Sequence, residues 1–358
     1  MTLADIQAAR TRLRDWLGRT PLVPFPDTNL WLKAENLQPT GAFKLRGAFN
    51  KLLSLTPEQR ERGVVAHSSG NHAGAVAYAA RALGLRAVVV MPAGAPQTKL
   101  AATRACGAEI VLVGNASEER AAKAAELAQA RGLTPVPPYD DPHIIAGAGT
   151  VGLELLEDCP DVGTVLVPVS GGGLISGVAT AIKALRPDVR VIGVEPELAA
   201  DAQASLRAGQ RVAWPADEVA RTLADGLRVT TLGELTWAHI RAHVDDIVTV
   251  SEAQMRRAVR DTALHARLVA EPSGAVTVAA ALYGGHRLPR PGGGGGQRRQ
   301  SGRGDAGGIA GRRPLTPARR LASPTLHRTL NLTNHHALRV KVTPYGIPQS
   351  GQEWTESQ

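Results

Sequence analysis

From about residue 64 to residue 290, short runs rich in β-branched residues alternate with alanine-rich segments, and this alternation constrains the fold most. The apolar runs are bounded by Gly, Pro or Ser and read GVVAHSS, RAVVVMP, AEIVLVG, TVLVPVS and VRVIGVEP. The segments between them have helical composition, for example AGAVAYAARALG, TKLAATRACG and SEERAAKAAELAQARG. Such strands, alternating with helices, are typical of parallel sheets covered on both faces. We therefore predict an α/β fold, and 358 residues leave room for two such sheets.

Composition indicates a globular protein and argues against a membrane protein. The apolar fraction is 43%, and no apolar run reaches the roughly 18 residues of a membrane span. The N-terminal MTLADIQAARTRLRDWLGRT predicts an amphipathic helix rather than a signal peptide. Cys106 and Cys159 cannot form a metal cage, so we expect reduced, buried thiols, a cytoplasmic protein and no membrane partner.

Basic charge is concentrated at one end of the chain. The net charge is +9, but residues 291–358 alone hold ten Lys or Arg against three Asp or Glu, so residues 1–290 are nearly neutral. This tail is rich in Gly, Arg and Pro and has no periodicity, which predicts disorder. It also lacks aromatic residues at the spacing that stacks on nucleic-acid bases, so we expect no nucleic-acid partner.

Two predicted strand-to-helix turns could hold a ligand. In GVVAHSSGNHAGAVAYAARALG, Ser69 and Asn71 follow a strand at 64–67 and precede a helix, where free N–H groups are available. Taken alone, this turn is better explained as an ordinary helix cap with a turn glycine. In TVLVPVSGGGLISGVATAIKAL, three successive glycines separate strand from helix, which favours a phosphate held by backbone N–H groups.

The glycine loop is compatible with two cofactors. A dinucleotide fold needs G-x-G-x-x-G and an acid about 20 residues later. Gly171 and Gly173 fit this pattern, Gly177 comes one residue late, and Glu195 closes the next strand. That alternative, a nicotinamide-dependent oxidoreductase, leaves Lys44 in QPTGAFKLRGAFN unexplained. Pyridoxal phosphate needs both a phosphate site and a lysine, and so it accounts for all three elements.

Five segments occurring in order resemble the fold-type-II pyridoxal-phosphate enzymes, close to the serine/threonine dehydratase and serine racemase group. They are KAENLQPTGAFKLRGA, SSGNHAGAVAYAA, GAGTVGLELLED, VPVSGGGLISGVA and LVAEPSGA. The resemblance covers residues 18 to about 285. It implies a two-domain fold similar to tryptophan synthase beta, with a large cofactor-binding domain from 1–48 and 149–290 and a small domain from 49–148. It also implies a homodimer.

The resemblance implies a role for each matching residue. Lys44 would carry the cofactor as a Schiff base, and Ser69 would lie across the substrate from it, both as catalytic residues. The other residues that it places around the cofactor are Phe43, Asn71, Gly171, Gly172, Gly173, Leu174, Gly226 and Glu271.

The segment EPELAAD resembles the divalent-cation loop of the same family. The implied ligands are the carboxylates of Glu195 and Asp201 and the carbonyl of Ala199, an oxygen set that suits Mg²⁺ or Ca²⁺. A solvated acidic loop is the alternative interpretation.

The implied reaction is the dehydrative deamination of L-threonine or L-serine to a 2-oxo acid and ammonia. The chain would then be a carbon–nitrogen lyase of amino-acid metabolism with a small-molecule substrate. Because racemisation also begins with loss of the Cα proton, an amino-acid racemase using Lys44 and Ser69 as paired bases is an alternative. A binding protein that holds the cofactor without turnover is another.

The C-terminal part departs from the family pattern. Family members end with an apolar strand and Ser-Gly-Gly-Asn, whose serine binds the pyridine nitrogen, but here PGGGGGQRRQSGRGDAGGIAG follows. Codons for Gln-Arg-Arg-Gln, read one base later, can encode Ser-Gly-Gly followed by Asn or Lys. We therefore hypothesise a frameshift between about Tyr283 and Gln297, which would make an inactive product a further alternative.

Overall fold

The computed structural model describes residues 1–68, 70–95, 97–114 and 117–284. The predicted tail at 291–358 and the predicted catalytic Ser69 lie outside the described residues. The strands are β1 Leu22–Pro24, β2 Trp31–Lys33, β3 Val64–His67, β4 Ala87–Pro92, β5 Glu109–Val113, β6 Thr134–Pro135, β7 Thr164–Pro168, β8 Arg190–Pro196 and β9 Asp246–Val250.

The helices that precede β7 in the chain are α1 Leu3–Leu13, α2 Lys44–Leu53, α3 Pro57–Arg62, α4 Asn71–Ala82, α5 Gln97–Ala105, α6 Ser117–Arg131 and α7 Pro142–Asp158. Those that follow are α8 Gly173–Leu185, α9 Asp201–Ala208, α10 Ala216–Val219, α11 Glu234–His243, α12 Glu252–Asp261 and α13 Pro272–Tyr283. Short 3₁₀ turns occur at Glu35–Leu37 and Asp225–Leu227, and a π-helical turn at Thr262–Ala266.

The described strands form two parallel sheets and one small antiparallel pair. One sheet has the order β5-β4-β3-β6, the other has the order β7-β8-β9, and β1 pairs with β2. In the first sheet Val64 lies opposite both Ala87 and Thr134, and in the second Thr164 lies opposite Arg190. The α/β fold with parallel sheets is thereby confirmed. The five apolar runs correspond to β3, β4, β5, β7 and β8.

Helices cover both faces of the first sheet, as the uniformly apolar strands predict. Val64 and Ala66 of β3 pack in a cluster with Ala75 and Val76 of α4. Val65, between them in the sequence, belongs to a different cluster that contains Leu127 of α6. Successive side chains of a strand point to opposite faces, so one strand serves both layers. With aromatic residues at 3% of the chain, small aliphatic side chains make up most of this core.

The N-terminal helix forms as predicted, and its capping explains where it begins. The Thr2 hydroxyl accepts from the N–H of Asp5, while the Asp5 carboxylate accepts from the N–H of Thr2, which is a capping box. Among the described residues, no helix combines the length and apolarity needed to cross a membrane.

The prediction of buried cysteines is wrong, although both thiols are free. Cys106 and Cys159 are only partly buried. Cys159 caps the C-terminus of α7, and its Sγ lies 3.4 Å from Asp161 Oδ1, so it occupies a helix end rather than the core.

Candidate active site

A cavity of about 1910 Å³ lies where β3 and β7 end. Ligands of parallel α/β proteins bind at the carboxyl ends of the strands. The cavity is lined by all nine cofactor residues predicted from the sequence, namely Phe43, Lys44, Asn71, Gly171, Gly172, Gly173, Leu174, Gly226 and Glu271. The predicted metal ligands Glu195, Ala199 and Asp201 are not among its lining residues.

Lys44 is the first residue of α2, and the buried face of that helix holds it in place. Leu45, Phe49 and Leu52 are at most 1% exposed. The Lys44 Nζ donates to the carbonyl of Pro138 and lies 5.3 Å from the centre of the Phe43 ring. Desolvation disfavours the charged ammonium and lowers the pKa of Lys44 from 10.5 to about 8. Near neutral pH this amine therefore exchanges its proton far more readily than a surface lysine does.

Arg46, two residues further along α2, anchors the helix through a buried charge network. Its guanidinium donates to both carboxylate oxygens of Glu35 at 2.8 Å and to those of Glu154 at 2.6 and 2.9 Å. Lys33 Nζ also lies 2.7 Å from Glu154. Glu35 belongs to the 3₁₀ turn before α2 and Glu154 to α7. With Lys33 at the end of β2, the network thus joins three other elements to the first turn of the helix that presents Lys44.

The side chain of Asn71 contacts Glu271, and both residues line the cavity. Asn71 begins α4, and its Nδ2 donates to Glu271 Oε1 at 2.7 Å. Glu271 caps α13, and burial raises the pKa of its carboxyl, an effect that the hydrogen bond from Asn71 opposes. Beside it, the N–H of Gly226 donates to Ser273 Oγ at 2.9 Å. Gly226 and Glu271, two of the residues predicted to lie around the cofactor, are therefore neighbours in the structure.

The glycine loop is enclosed by two residues that leave no room for side chains. A Cβ on Gly171 would lie 2.4 Å from the Tyr139 ring, and one on Gly172 would lie 2.8 Å from Thr236 Cβ. Gly172 also has a φ of 91°, in the left-handed region that favours glycine. Close packing is therefore one reason for the glycines.

The same loop also has unused hydrogen-bonding capacity that fits a phosphate. α8 begins at Gly173, and the first N–H groups of a helix have no partner within the helix. The Oγ of Ser170 is buried without a hydrogen-bond partner among the described residues. An oxyanion placed here would satisfy these donors, so the loop fits the phosphate of the expected cofactor.

The predicted metal ligands form a buried carboxylate pair. Glu195 and Asp201 are at most 1% exposed. The Glu195 oxygens accept from the N–H groups of Ala202 and Gln203 at 3.1 and 2.8 Å, at the start of α9. Asp201 Oδ2 has no partner among the described residues. Burial raises the pKa of both carboxyls, and the charge of Asp201 raises that of Glu195 further.

Several residues of the site were not predicted from the sequence. Tyr139 and Thr236 enclose the glycine loop, Asp140 accepts from the N–H groups of Glu234 and Thr236 at the start of α11, and Arg46 anchors α2. The Asp-Pro pair at 141–142 was a usable signal, because Asp141 caps α7 and Pro142 occupies its first turn. It would have located a helix start directly after Tyr139.

A buried lysine, a glycine loop at a helix start and two parallel sheets fit the class of enzymes that hold a phosphate cofactor on a lysine. Residues 13–292 match the family model described as pyridoxal-phosphate-dependent enzyme, and the chain belongs to this family.

Individual proteins and solved structures are also similar to this chain. The L-threonine ammonia-lyase of Thermotoga maritima is 46% identical over 290 residues, which are 79% of this chain and 71% of that protein. A crystal structure of a threonine deaminase from T.th. has a TM-score of 0.77 at 46% identity and covers 81% of this chain and 95% of its own. Maize serine racemase has a TM-score of 0.76 at 39% identity, covering 78% and 86%.

Proposed function

We propose that the chain is a pyridoxal-phosphate-dependent ammonia-lyase that converts L-threonine to 2-oxobutanoate and ammonia, with L-serine as a second substrate. The water lost with the β-hydroxyl is taken up again when the nitrogen leaves as ammonia. The observation that carries the proposal is the desolvated Lys44 amine in the same cavity as the glycine loop. The names of the ammonia-lyase and deaminase relatives support this choice of substrate.

The cavity residues would hold the cofactor by complementary contacts. The loop from Ser170 to Leu174 would bind the phosphate, and Asn71, Gly226 and Glu271 would surround the ring. When bound, pyridoxal phosphate withdraws electrons from the substrate's Cα and makes its proton acidic. Lys44 would take this proton as a neutral amine, because a base with a pKa near the working pH both accepts and returns a proton efficiently.

Racemisation is the second candidate, and the likeness to maize serine racemase favours it. It would need a second acid/base on the opposite side of Cα, the role proposed for Ser69. Both reactions share the Lys44 step, so only the products distinguish them.

Product analysis with both substrates tests the proposal. The enzyme, loaded with pyridoxal phosphate, is incubated with L-threonine or L-serine, and 2-oxo acid and D-amino acid are measured. We expect 2-oxo acid as the main product, no product from Lys44→Ala, and wild-type rates from Lys123→Ala, which changes a half-buried lysine of α6 that does not line the cavity. D-amino acid without 2-oxo acid would instead support the racemase, and no product from folded, loaded enzyme would contradict both.

We also propose that Glu195, Asp201 and the carbonyl of Ala199 hold Mg²⁺ or Ca²⁺. Two buried carboxylates and an unpartnered Asp201 oxygen support a bound cation, because buried charges are normally paired or coordinated. Within the described residues no cluster of three or more acidic, His or Cys side chains could hold a metal, so the site needs the backbone oxygen.

Thermal unfolding tests this cation site. We expect Mg²⁺ or Ca²⁺ at millimolar concentration to raise Tm by a few degrees relative to NaCl of the same ionic strength. The increase should disappear in Asp201→Asn. An equal increase in wild type and variant would contradict the proposed site.

The remaining architecture is proposed from the family resemblance. β3 to β6 fall within the predicted small domain at 49–148, and β7 to β9 fall within the predicted large domain. A homodimer is proposed on the same basis, whereas a cytoplasmic location is proposed from the two free cysteines. Sedimentation equilibrium at micromolar concentration should give twice the mass of one chain, and a monomer would contradict the dimer.

A further inference from the structure

An ion pair joins opposite walls of the cavity. Lys99 Nζ on α5 lies 2.7 Å from Asp225 Oδ2, and the two side chains are 32% and 42% exposed. Both residues line the cavity. α5 lies in the sequence between β4 and β5 of the first parallel sheet, whereas Asp225 lies between β8 and β9 of the second. The pair therefore joins a segment that connects two strands of the first sheet to a segment that connects two strands of the second.

The same ammonium lies against the turn that leads to Asn71. A Cβ built on Gly70 would be 3.1 Å from Lys99 Nζ. Asn71 follows directly and donates to Glu271 at 2.7 Å. Asp225 in turn precedes Gly226, whose N–H donates to Ser273. The ion pair thus stands beside the residues that we place around the cofactor.

The charges of this group also act on one another. Burial raises the pKa of the Glu271 carboxyl, and the hydrogen bond from Asn71 opposes this effect. The charge of Asp225 raises the same pKa further, and the ammonium of Lys99 offsets part of the rise. Geometry and charge both connect Lys99 to the Asn71–Glu271 contact.

We propose that Lys99 is a positioning residue, whose ion pair with Asp225 holds Gly70 and Asn71 against the wall formed by Gly226 and Glu271. The inference rests on the proposed function only where it names pyridoxal phosphate as the group between these walls. A lysine at this place could instead bind the substrate's carboxylate directly, which requires a positive charge at position 99. A positioning pair requires only opposite charges at 99 and 225, in either order.

Hydrogen exchange in cofactor-free protein tests the pair without any activity. We compare the peptide from Gly70 to Ala77 in wild type, Lys99→Met, Asp225→Asn and the charge swap Lys99→Asp/Asp225→Lys. The single variants should exchange about threefold faster at low salt, and the swap should return to the wild-type rate. Lys123→Met, which removes an ammonium of similar exposure paired with Glu126 on α6, should leave this peptide unchanged.

Cofactor affinity provides the second measurement. The Kd of pyridoxal phosphate should rise about threefold in each single variant and recover in the swap, and 0.5 M NaCl should reduce the difference because exposed pairs are screened. The inference is overturned if the single variants match wild type, or if the swap binds more weakly than either single variant. Absence of cofactor binding by wild type would contradict the proposed function, and hydrogen exchange would still decide the role of the pair.

Discussion

At the scale of single residues, the decisive property of the site is the proton affinity of one amine. Burial lowers the pKa of Lys44 to about 8, whereas the neighbouring Arg46 keeps its charge because two carboxylates surround it. Two basic side chains on the same helical turn thus differ in how readily they lose a proton. The first can exchange a proton, and the second fixes the helix.

The pH dependence of Lys44 reactivity follows from this shift. In cofactor-free protein, acetylation of Lys44 by acetic anhydride should rise with pH with a midpoint near 8, because only the neutral amine reacts. In urea-unfolded protein the midpoint should move to about the ordinary lysine value of 10.5. Peptide mass spectrometry gives both profiles, and identical midpoints would contradict the desolvated environment.

The same shift links stability to pH. Between about pH 8 and 10.5 the unfolded chain binds the Lys44 proton and the folded chain does not. The contribution of this group to the free energy of unfolding should therefore rise with pH across that range. Urea unfolding of wild type and Lys44→Met at pH 7.5 and pH 10 isolates the contribution of Lys44 to the free energy of unfolding.

Removal of Arg46 should destabilise the fold strongly. Arg46→Met leaves the partly buried Glu35 without its guanidinium partner and Glu154 with only Lys33, so we expect a loss of about 3–5 kcal/mol in the free energy of unfolding. The matched control is Arg10→Met, since Arg10 pairs with Glu157 at an exposed position and should cost less than about 1 kcal/mol. Urea denaturation of both variants checks this, and equal losses would refute the role of the buried network.

At the scale of elements, the close approach of α7 and α8 depends on glycine. A Cβ on Gly177 of α8 would lie 2.3 Å from the carbonyl oxygen of Ile145 and 2.5 Å from the nitrogen of Gly149, both on α7. These are backbone atoms that cannot move alone, so the helices would have to separate. α8 also carries the glycine loop at its start, which links this packing to the site.

Replacement of two helical glycines by alanine should therefore have opposite effects. Gly177→Ala should lower the free energy of unfolding by about 1–3 kcal/mol through overpacking. Gly74→Ala in α4 should raise it by up to about 1 kcal/mol, because no described residue beyond its own helical turn has a heavy atom within 4 Å of the added Cβ. Urea denaturation measures both, and a Gly177 variant as stable as wild type would contradict the observed packing.

Helices and strands could be predicted from the sequence where the pattern of apolar residues within the segment determines them. β3 is apolar up to its last residue, His67, and β4 is apolar throughout; both are flanked by helical segments and appear as predicted. β6 has only two residues, Thr134 and Pro135, so no periodicity could reveal it. The Arg46 network was equally inaccessible, because its partners Glu35 and Glu154 lie 11 and 108 residues away along the chain.

At the scale of the whole molecule, both sheets contribute to one cavity. The cofactor residues could be predicted from the sequence because most of them lie in motifs that occur in order along the chain, and in the structure they line this cavity together.

The family match ends at residue 292, where the glycine-rich stretch begins. The frameshift hypothesis concerns residues beyond Tyr283, which lie almost entirely outside the described part of the chain. Resequencing of the gene at this point would test it, and a clean in-frame read from a second isolate would reject it.

The central claim is that Lys44 carries the cofactor, and reductive trapping tests it most directly. The protein is incubated with pyridoxal phosphate, reduced with borohydride, digested and mapped by mass spectrometry. We predict one phosphopyridoxyl group on the peptide containing Lys44, and none on that peptide in Lys44→Ala. Modification of another cavity lysine such as Lys99, with Lys44 unmodified in folded protein, would contradict the assignment of this site.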